Sequence, residues 1–334
     1  EPKGNFVDPV HGGKTGANIL HLTAPVAPDL RTRLEAIRAK LFAVRGKRIR
    51  PHKDDKVLTD WNGLMISAFA RAAQAFDEPK YAEAAERAAA FVLKELRRPD
   101  GRLLHAWRDG AASSAPAHAD DYAFLIAGLL DLYEATFNVR WLETALELNK
   151  LLIAHYWDEA AGGFFFTADD GEKLLLRRKE LYDGAVPSSN SVALLNLMRL
   201  GRITGDTTLE ERADKLGKAF AGDVRRMPSV YTSFLLGVDF IVGPAHEVVI
   251  AGRPGADDTK AMLRAVRSPF IPNKVLIFRP ADEEPPPIVK LAPATEGQKA
   301  RGGKATAYVC QAGSCQRPTN DPAAVLKSLD ASSR

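Results

Sequence analysis

The segments Tyr81-Ala-Glu-Ala-Ala85, Trp141-Leu-Glu-Thr-Ala145 and Leu209-Glu-Glu-Arg-Ala213 share one pattern. Each has a large apolar residue, any residue, Glu, any residue and Ala, and the copies lie 60 and 68 residues apart. Self-similarity at a long spacing is typical of proteins built from repeated supersecondary units. The sequence therefore predicts three copies of one structural unit.

Each copy opens an amphipathic helix, and a more apolar helix precedes it across a short break. The amphipathic helices are predicted at 80–96, 140–156 and 208–221, and the apolar helices at 61–76, 121–136 and 189–204. A helix that is apolar on nearly all sides is buried on most of them. We therefore expect stacked αα-hairpins, with the apolar helices as an inner row and the amphipathic helices outside.

Two further helices extend this arrangement. The segment 29–45 is predicted as an outer helix before the first hairpin, and the segment 229–241 as a fourth inner helix. An (α/α)6 toroid closes with six inner and six outer helices, so about four of each indicate a partial toroid. Either the remaining pairs lie on N-terminal sequence outside this chain, or the helices form an open arc.

The hydrophobic pattern changes after residue 245. Short β-branched runs at 246–252 and 274–278 flank a predicted helix at 257–266, and 305–310 has the pattern of a third strand. The sequence thus predicts a mainly α-helical protein. Its expected domains are a partial α/α toroid at 1–245 and a small α/β segment at 246–334.

Composition excludes several classes of protein. The 334 residues are 46% hydrophobic, which is enough for a large core, and the formal net charge is only +4. Mixed charges of this balance argue against a nucleic-acid partner. No apolar run reaches the ~18 residues of a membrane helix. Two cysteines do not make a disulfide scaffold, so we expect a cytoplasmic protein with reduced thiols.

The repeat also aligns the starts of the inner helices. Counting 24 residues back from Ala85, Ala145 and Ala213 reaches Trp61, Asp121 and Ser189. In stacked hairpins these starts lie on one rim, where positive helix ends and polar side chains converge. The candidate substrate-binding or catalytic residues are Asp60, Trp61 and Asn62 at the first start, His118, Asp120, Asp121 and Tyr122 at the second, and Asp183, Ser188, Ser189 and Asn190 at the third.

Such a rim is suited to a sugar. Aromatic rings stack on sugar faces, and the carboxylates Asp60, Asp121 and Asp183 are candidates for the two acids of a glycosidase. Asp121 is the favoured acid/base residue, because Asp120 beside it discourages double ionisation. An epimerase would need paired proton carriers, for which His52, His105 and His118 are available. The alternative is that each acid only caps its helix.

Other motifs give weaker indications of function. His118-x-Asp120-Asp121 lacks further metal ligands, so we expect neither a metal nor a cofactor. Cys310 and Cys315 are redox candidates if a turn brings their Cα atoms within ~7 Å, and otherwise are inert. We expect reduced thiols in the cytoplasm, with a disulfide possible under oxidation. Gly252-Arg-Pro-Gly255 resembles a phosphate loop only loosely. Core packing is the favoured role for Phe164 to Phe166 over a sugar platform.

Four segments together resemble the YyaL-type thioredoxin-domain family, which includes the spermatogenesis-associated thioredoxin-like proteins. They are Lys53 to Met65, Asp121 to Ile126, Glu180 to Asn190, and Tyr308 to Pro318. The resemblance implies a thioredoxin-like domain followed by a six-hairpin toroid similar to glycosidases and N-acylglucosamine 2-epimerases. We therefore expect this chain to be the C-terminal part of a longer protein, with the thioredoxin-like domain on preceding sequence.

Three functions remain open. The first is a carbohydrate-binding or carbohydrate-processing toroid, glycosidase-like or epimerase-like. The second is a non-catalytic module that binds a ligand or client for an attached thioredoxin-like domain. The third is a thiol-linked regulatory role of Cys310 and Cys315. The expected partner is a sugar or other small polar ligand, with no nucleic acid and no membrane.

Overall fold

The computed structural model describes residues 4–22, 24–311 and 313–330. The chain divides into two compact units, Glu1–Asp54 and Asp55–Arg334. The first unit contains helix α1 (Pro28–Gly46), which has no buried residue. The predicted helix at 29–45 is therefore confirmed, and its place as an outer helix stays a prediction. Among the described residues, every helix is too short or too polar to span a bilayer.

Three αα-hairpins follow one another in the second unit, as the repeat predicts. Their helices are α2 (Thr59–Phe76) and α3 (Pro79–Glu95), α4 (Ala119–Thr136) and α5 (Val139–Tyr156), and α6 (Ser189–Thr204) and α7 (Thr207–Arg226). Their bounds match the predicted ones closely, except that α7 continues well beyond residue 221. Inner helices α2, α4 and α6 are each followed by a residue in the left-handed conformation that terminates a helix, namely Asp77, Phe137 and Gly205.

The inner helices form one continuous row. Helix α2 packs on α4, α4 on α6, and α6 on α8 (Thr232–Val242), while α3, α5 and α7 each pack on their own hairpin partner. Helix α4, in the middle of the row, buries 14 of its 18 residues. The chain is thus mainly α-helical, with consecutive αα-hairpins whose inner helices pack in one row, as the toroid prediction requires, and with a small sheet region.

A short antiparallel sheet lies beside the helix starts. Its strands are β1 (Val57–Leu58), β2 (Ala106–Arg108) and β3 (Ala111–Ala112), in that order. Strand β1 leads directly into α2, and Leu58 pairs with Ala106 on β2. The loop between the first and second hairpins is thereby brought back to the start of the first inner helix.

The predicted α/β segment is present. Strands β4 (His246–Gly252) and β5 (Lys274–Pro280) are parallel and joined by α9 (Asp257–Arg267), and β6 (Thr306–Gln311) runs antiparallel to β4. The remaining elements are α10 (Ile288–Leu291), β7 (Ser314–Cys315) and α11 (Pro322–Asp330), which the sequence analysis did not predict.

The two faces of this sheet have different partners. Val249, Val275 and Ile277 belong to the same hydrophobic cluster as the inner helices, whereas Val248 and Leu276 pack with residues of α9 and α11. The sheet is therefore buried on both faces, which explains its continuous apolar runs. Because it shares one compact unit with the hairpins, the division of the chain at residue 245 stays a prediction.

The two cysteines lie close enough to be bridged. Cys310 and Cys315 form a disulfide, with Cα atoms 3.9 Å apart, which meets the condition of ~7 Å set for a redox pair. The reason is the register of the β6–β7 hairpin, which places the two residues directly opposite each other. Their spacing along the chain left this pairing open, because it depends on the turn between them. A redox role is thereby geometrically open, and it stays a prediction.

Helices α2 and α4 approach so closely that adding one methyl group at Gly63 should destabilise the fold. A Cβ at Gly63 would lie 2.5 Å from backbone atoms of Phe124 and Leu125, and one at Gly128 would lie 2.6 Å from the Gly63 carbonyl. Backbone atoms cannot move aside cheaply. Gly63→Ala should therefore lower the free energy of unfolding by roughly 1–3 kcal/mol, measured by urea denaturation.

Gly222→Ala is the matched control. Gly222 is an exposed position within α7, and a Cβ there would meet nothing within 4 Å. Replacing a free helical glycine with alanine should raise stability by about 0.5–1 kcal/mol. Similar effects of the two substitutions would contradict the tight contact between α2 and α4.

Candidate functional site

A single buried carboxylate joins the starts of α2 and α4. Asp121 is fully buried; its Oδ1 accepts the backbone N–H of Asp60 at 3.0 Å, and its Oδ2 accepts the backbone N–H of His118 at 2.8 Å. First-turn N–H groups have no partner within their own helix, and a helix start favours negative charge. Asp121 therefore caps two inner helices at once.

The same carboxylate holds His105. The ring Nδ1 of His105 lies 3.1 Å from Asp121 Oδ1 and 3.0 Å from Oδ2. The backbone fixes this position, because the Thr59 N–H at the start of α2 donates to the His105 carbonyl at 2.9 Å. The hydrogen bond to Asp121 is the largest cause that raises the pKa of His105, so its protonated form is favoured.

His118 lies against His105 with the opposite electrostatic preference. The ring centroids are 5.3 Å apart and nearly perpendicular, and His118 also stacks on Phe166 at 4.6 Å. Burial is the largest cause that lowers the pKa of His118, so its neutral form is favoured. The side chains of His105 and His118 are 28% and 34% exposed, which leaves both open to a ligand. We call these two residues the histidine pair.

Two further carboxyl groups flank Asp121. Burial raises the pKa of Asp120 to about 6, and the charges of Asp121 and Asp60 add to the shift, while the nearby Ser189 offsets part of it. Asp120 Oδ1 is buried without a well-aligned hydrogen bond to any described residue. Burial and then Asp121 also raise the pKa of Asp60, whose Oδ1 accepts the Trp61 N–H at 2.7 Å.

Asp183 plays the same capping role at the other end of the row. Its Oδ1 accepts the backbone N–H of Ser188, and its Oδ2 accepts those of Ser233 and Phe234, at 2.8–3.1 Å. It thus joins the starts of α6 and α8, as Asp121 joins those of α2 and α4. With three backbone donors on its two oxygens, Asp183 is placed as a cap in the structure.

Several other predicted site residues hold loops together. The Tyr122 hydroxyl is buried and accepts the Leu103 N–H, and the Asn190 amide bonds the backbone of Phe164 and Glu180. The remaining contacts are Ser188 Oγ accepting from Ser191 N–H, Asn62 donating to the Leu58 carbonyl, and Ser189 fully buried. The structure thus brings Asp60, Asp120, Asp121 and His118 into one cluster, whereas Asn62, Tyr122, Ser188 and Asn190 bond the backbone.

Exposed aromatic surface is present at the first helix start. Trp61, next to Asp60, is 60% exposed although it is the largest apolar side chain of α2. The three consecutive phenylalanines divide their roles. Phe164 is fully buried, as core packing predicts, Phe165 lies beneath the Arg177 guanidinium, and Phe166 supports His118.

Metal binding can be assessed on the same cluster. His105, His118 and Asp121 place one ligand atom each within 4.8 Å of one another, so His105 is the third ligand that the spacing His118-x-Asp120-Asp121 lacked. Both Asp121 oxygens already accept a helix N–H and lie at hydrogen-bond distance from His105. This geometry fits a hydrogen-bonded Asp–His pair, and a metal ion would have to replace the proton between them.

Known proteins with similar sequences are considerably longer than this chain. No family model matches the chain. Spermatogenesis-associated protein 20 of Rattus norvegicus is 36% identical over 313 residues, and that of Homo sapiens is 36% identical over 310 residues; these matches cover 89% and 90% of this chain. The chain spans 39% of the length of both relatives. The resemblance to the spermatogenesis-associated proteins is thus confirmed, and the thioredoxin-like domain stays a proposal.

Solved structures share part of the helical arrangement. They include the cellobiose 2-epimerase of Bacillus thermoamylovorans, with 19% identity, a TM-score of 0.43 and coverage of 51% of this chain and 46% of that one. A family 76 α-mannanase of Bacteroides thetaiotaomicron has 19% identity and a TM-score of 0.43, with coverage of 52% and 47%. A D-mannose isomerase has 19% identity and a TM-score of 0.41, with coverage of 59% and 52%.

Replacing Asp120 should change the stability of the fold in a pH-dependent way. Its pKa is about 6 in the folded chain against an ordinary 3.8, so folding favours the protonated form. That stabilisation is complete below pH 3.8 and is lost as the pH rises through 6. Asp120→Asn removes the buried charge. We expect it to raise the free energy of unfolding at pH 8 by about 2–3 kcal/mol. At pH 4.5 the increase should be smaller than at pH 8 by about 2 kcal/mol.

The measurement is urea denaturation of both proteins at the two pH values. Asp282→Asn serves as the control, because Asp282 is an exposed residue outside the site. It should leave the free energy of unfolding unchanged at both pH values. An Asp120→Asn protein that is less stable than the parent at pH 8 would show that the ionised carboxylate is well accommodated.

Proposed function

We propose that the chain is a carbohydrate-processing unit whose active site is the histidine pair at the starts of α2 and α4. One observation carries this proposal: two touching, partly exposed imidazoles have pKa values that are shifted in opposite directions. Groups whose environments separate their pKa values are suited to opposite roles in proton transfer. At neutral pH, His105 favours the role of acid and His118 that of base.

The chemistry that fits this pair is a proton shift between neighbouring atoms of a sugar. His118 would take the proton from the carbon next to the carbonyl group, while His105 gives its proton to the carbonyl oxygen, which yields an enediol. The isomer forms when neutral His105 takes the proton of the neighbouring enediol hydroxyl while protonated His118 gives its proton to the former carbonyl carbon. The C2 epimer forms only if the enediol turns its other face to His118 before the proton returns to C2. Because the rings lie side by side, they face adjacent atoms on one side of the substrate rather than opposite sides.

Residues around the pair would bind the sugar. The exposed indole of Trp61 offers a flat apolar surface for one face of a sugar ring. Asp60, whose carboxylate interacts with the charge on His105, would bond hydroxyl groups, and Asp120 lies next to Asp121 on the other side. Asp121, which we favoured as the acid/base residue, is fully buried; in this proposal it is a positioning residue that caps two helices and keeps His105 protonated.

A second candidate function is glycoside hydrolysis. The observation that favours it is the pKa of about 6 for Asp120, which suits a general acid near neutral pH, with Asp60 as a second carboxyl group nearby. The third reading is a non-catalytic module that binds a ligand or client for an attached thioredoxin-like domain. The length of the relatives, of which this chain spans 39%, supports a role within a longer protein.

Proton exchange with solvent tests the main proposal directly. The chain is incubated in deuterium oxide with a panel of aldoses, ketoses and reducing disaccharides, and deuterium at C2 is followed by NMR. We expect exchange with at least one sugar, with a bell-shaped pH profile. Its acidic limb lies below the ordinary histidine pKa of 6.5, from His118, and its alkaline limb above it, from His105.

Two glutamine variants sharpen this test. His118→Gln should reduce exchange by ~10²–10⁴, because the base is lost. His155→Gln is the control, since His155 lies beside Asp169 in a separate cluster and should exchange as the parent does. Sugar binding without exchange would favour the binding module. Hydrolysis of a glycoside that survives His118→Gln and is lost in Asp120→Asn would favour the hydrolase.

Asp121→Asn tests the positioning role. An amide in place of the carboxylate removes the charge that holds the proton on His105. The alkaline limb of the exchange profile should therefore move to lower pH, while exchange at the acidic side persists in the folded fraction. A purely structural cap would lower the melting temperature and leave the position of that limb unchanged, which would contradict the assignment of His105 as the acid.

A further inference from the structure

A cavity of about 300 Å³ lies at the carboxyl ends of the parallel strands β4 and β5. It is lined by Gly252 at the end of β4 and by Arg279 near the end of β5. In open α/β sheets, ligands bind in the crevice outside the carboxyl ends of parallel strands. The cavity belongs to the sheet segment and shares no lining residue with the histidine pair.

Cationic side chains predominate in this cavity. Its four cations are Arg253, Arg279, Lys299 and Lys304, and its two carboxylates are Asp258 and Glu284. Asp258 is already engaged, because its two oxygens accept the N–H groups of Thr259 and Ala305. The cavity therefore has an excess of positive charge that its own carboxylates do not neutralise.

Glu284 occupies the position that an external anion would take. Arg279, whose side chain is 1% exposed, donates from one terminal nitrogen to both Glu284 oxygens at 3.1 Å, and the Lys299 ammonium lies 3.1 Å away. A buried guanidinium needs a counter-charge. Here an exposed loop glutamate supplies it, and Arg279 Nε remains buried without a partner among the described residues.

Glycine at the end of β4 allows α9 to pack closely beside the cavity. A Cβ at Gly252 would lie 2.5 Å from Thr259 Oγ1, so glycine permits the first turn of α9 to lie against the strand end. The loop Gly252-Arg-Pro-Gly255, which resembles a phosphate loop, lies at this point. Helix α9 starts with Asp257 and Asp258, so anion recognition here rests on the cationic side chains rather than on the helix end.

We infer that this cavity binds the phosphate group of a small phosphorylated molecule. Arg279 and Lys299 would hold two phosphate oxygens, and the exposed Arg253 and Lys304 would contact the phosphate from the mouth of the cavity. Glu284 would leave its place as the phosphate enters. Guanidinium and ammonium groups are the usual partners of phosphate oxygens in proteins.

Calorimetric titration of the full chain tests this site. The probes are inorganic phosphate, glucose 6-phosphate and adenosine 5′-monophosphate, which distinguish free phosphate, a phosphosugar and a nucleotide as sources of the shared group. Glu284→Gln removes the internal competitor and should tighten binding about fivefold. Lys299→Gln removes a cation and should weaken binding about threefold to fivefold.

Lys290→Gln is the control, because Lys290 is exposed on α10 and does not line the cavity. Its affinity should equal that of the parent, and melting temperatures confirm that each variant is folded. Binding of any probe that responds to Glu284→Gln and Lys299→Gln in opposite directions supports the site. No binding of the three probes below about 1 mM, or equal affinity in all variants, overturns it.

Discussion

The buried carboxylate of Asp121 is the constraint on which the helix starts and the candidate site depend. Two inner helices begin side by side, and each presents N–H groups that its own helix cannot satisfy. One acid satisfies both starts and holds His105 in addition. Asp183 repeats the arrangement for α6 and α8. The inner row is therefore held at its N-terminal ends by two acids, each shared between neighbouring helices.

The electrostatics of the site follow from this structural requirement. A fixed negative charge beside an imidazole stabilises the imidazolium, so His105 favours its protonated form. The same charge acts on Asp120 together with burial, and raises its pKa to about 6. His118 lies farther from the carboxylate, at 3.8 Å, and there burial outweighs attraction. The three groups thus differ in protonation preference because Asp121 dominates only at His105, whereas burial dominates at Asp120 and His118.

The repeat pattern predicted more of the fold than of the candidate site. Periodicity located the paired helices, because a helix that buries one face has apolar residues at a regular spacing. It also placed Asp60, Asp120, Asp121 and His118 at aligned helix starts. His105 lies outside the repeat, and it reaches the site through the pairing of β1 with β2, which local pattern does not reveal. Asp120 and Asp121 are equivalent in sequence, and only the helical phase determines which carboxylate is fully buried.

The sheet segment shares its hydrophobic packing with the inner helices. Val249, Val275 and Ile277 lie in the same hydrophobic cluster as α4 and α6, so the sheet and the hairpins form one compact unit. A ligand that binds only the folded unit stabilises all of it, whichever side it occupies. Stabilisation alone does not couple the phosphate cavity to the histidine pair. Coupling requires two arrangements of the unit that each ligand distinguishes, and a common rigid core keeps such arrangements few.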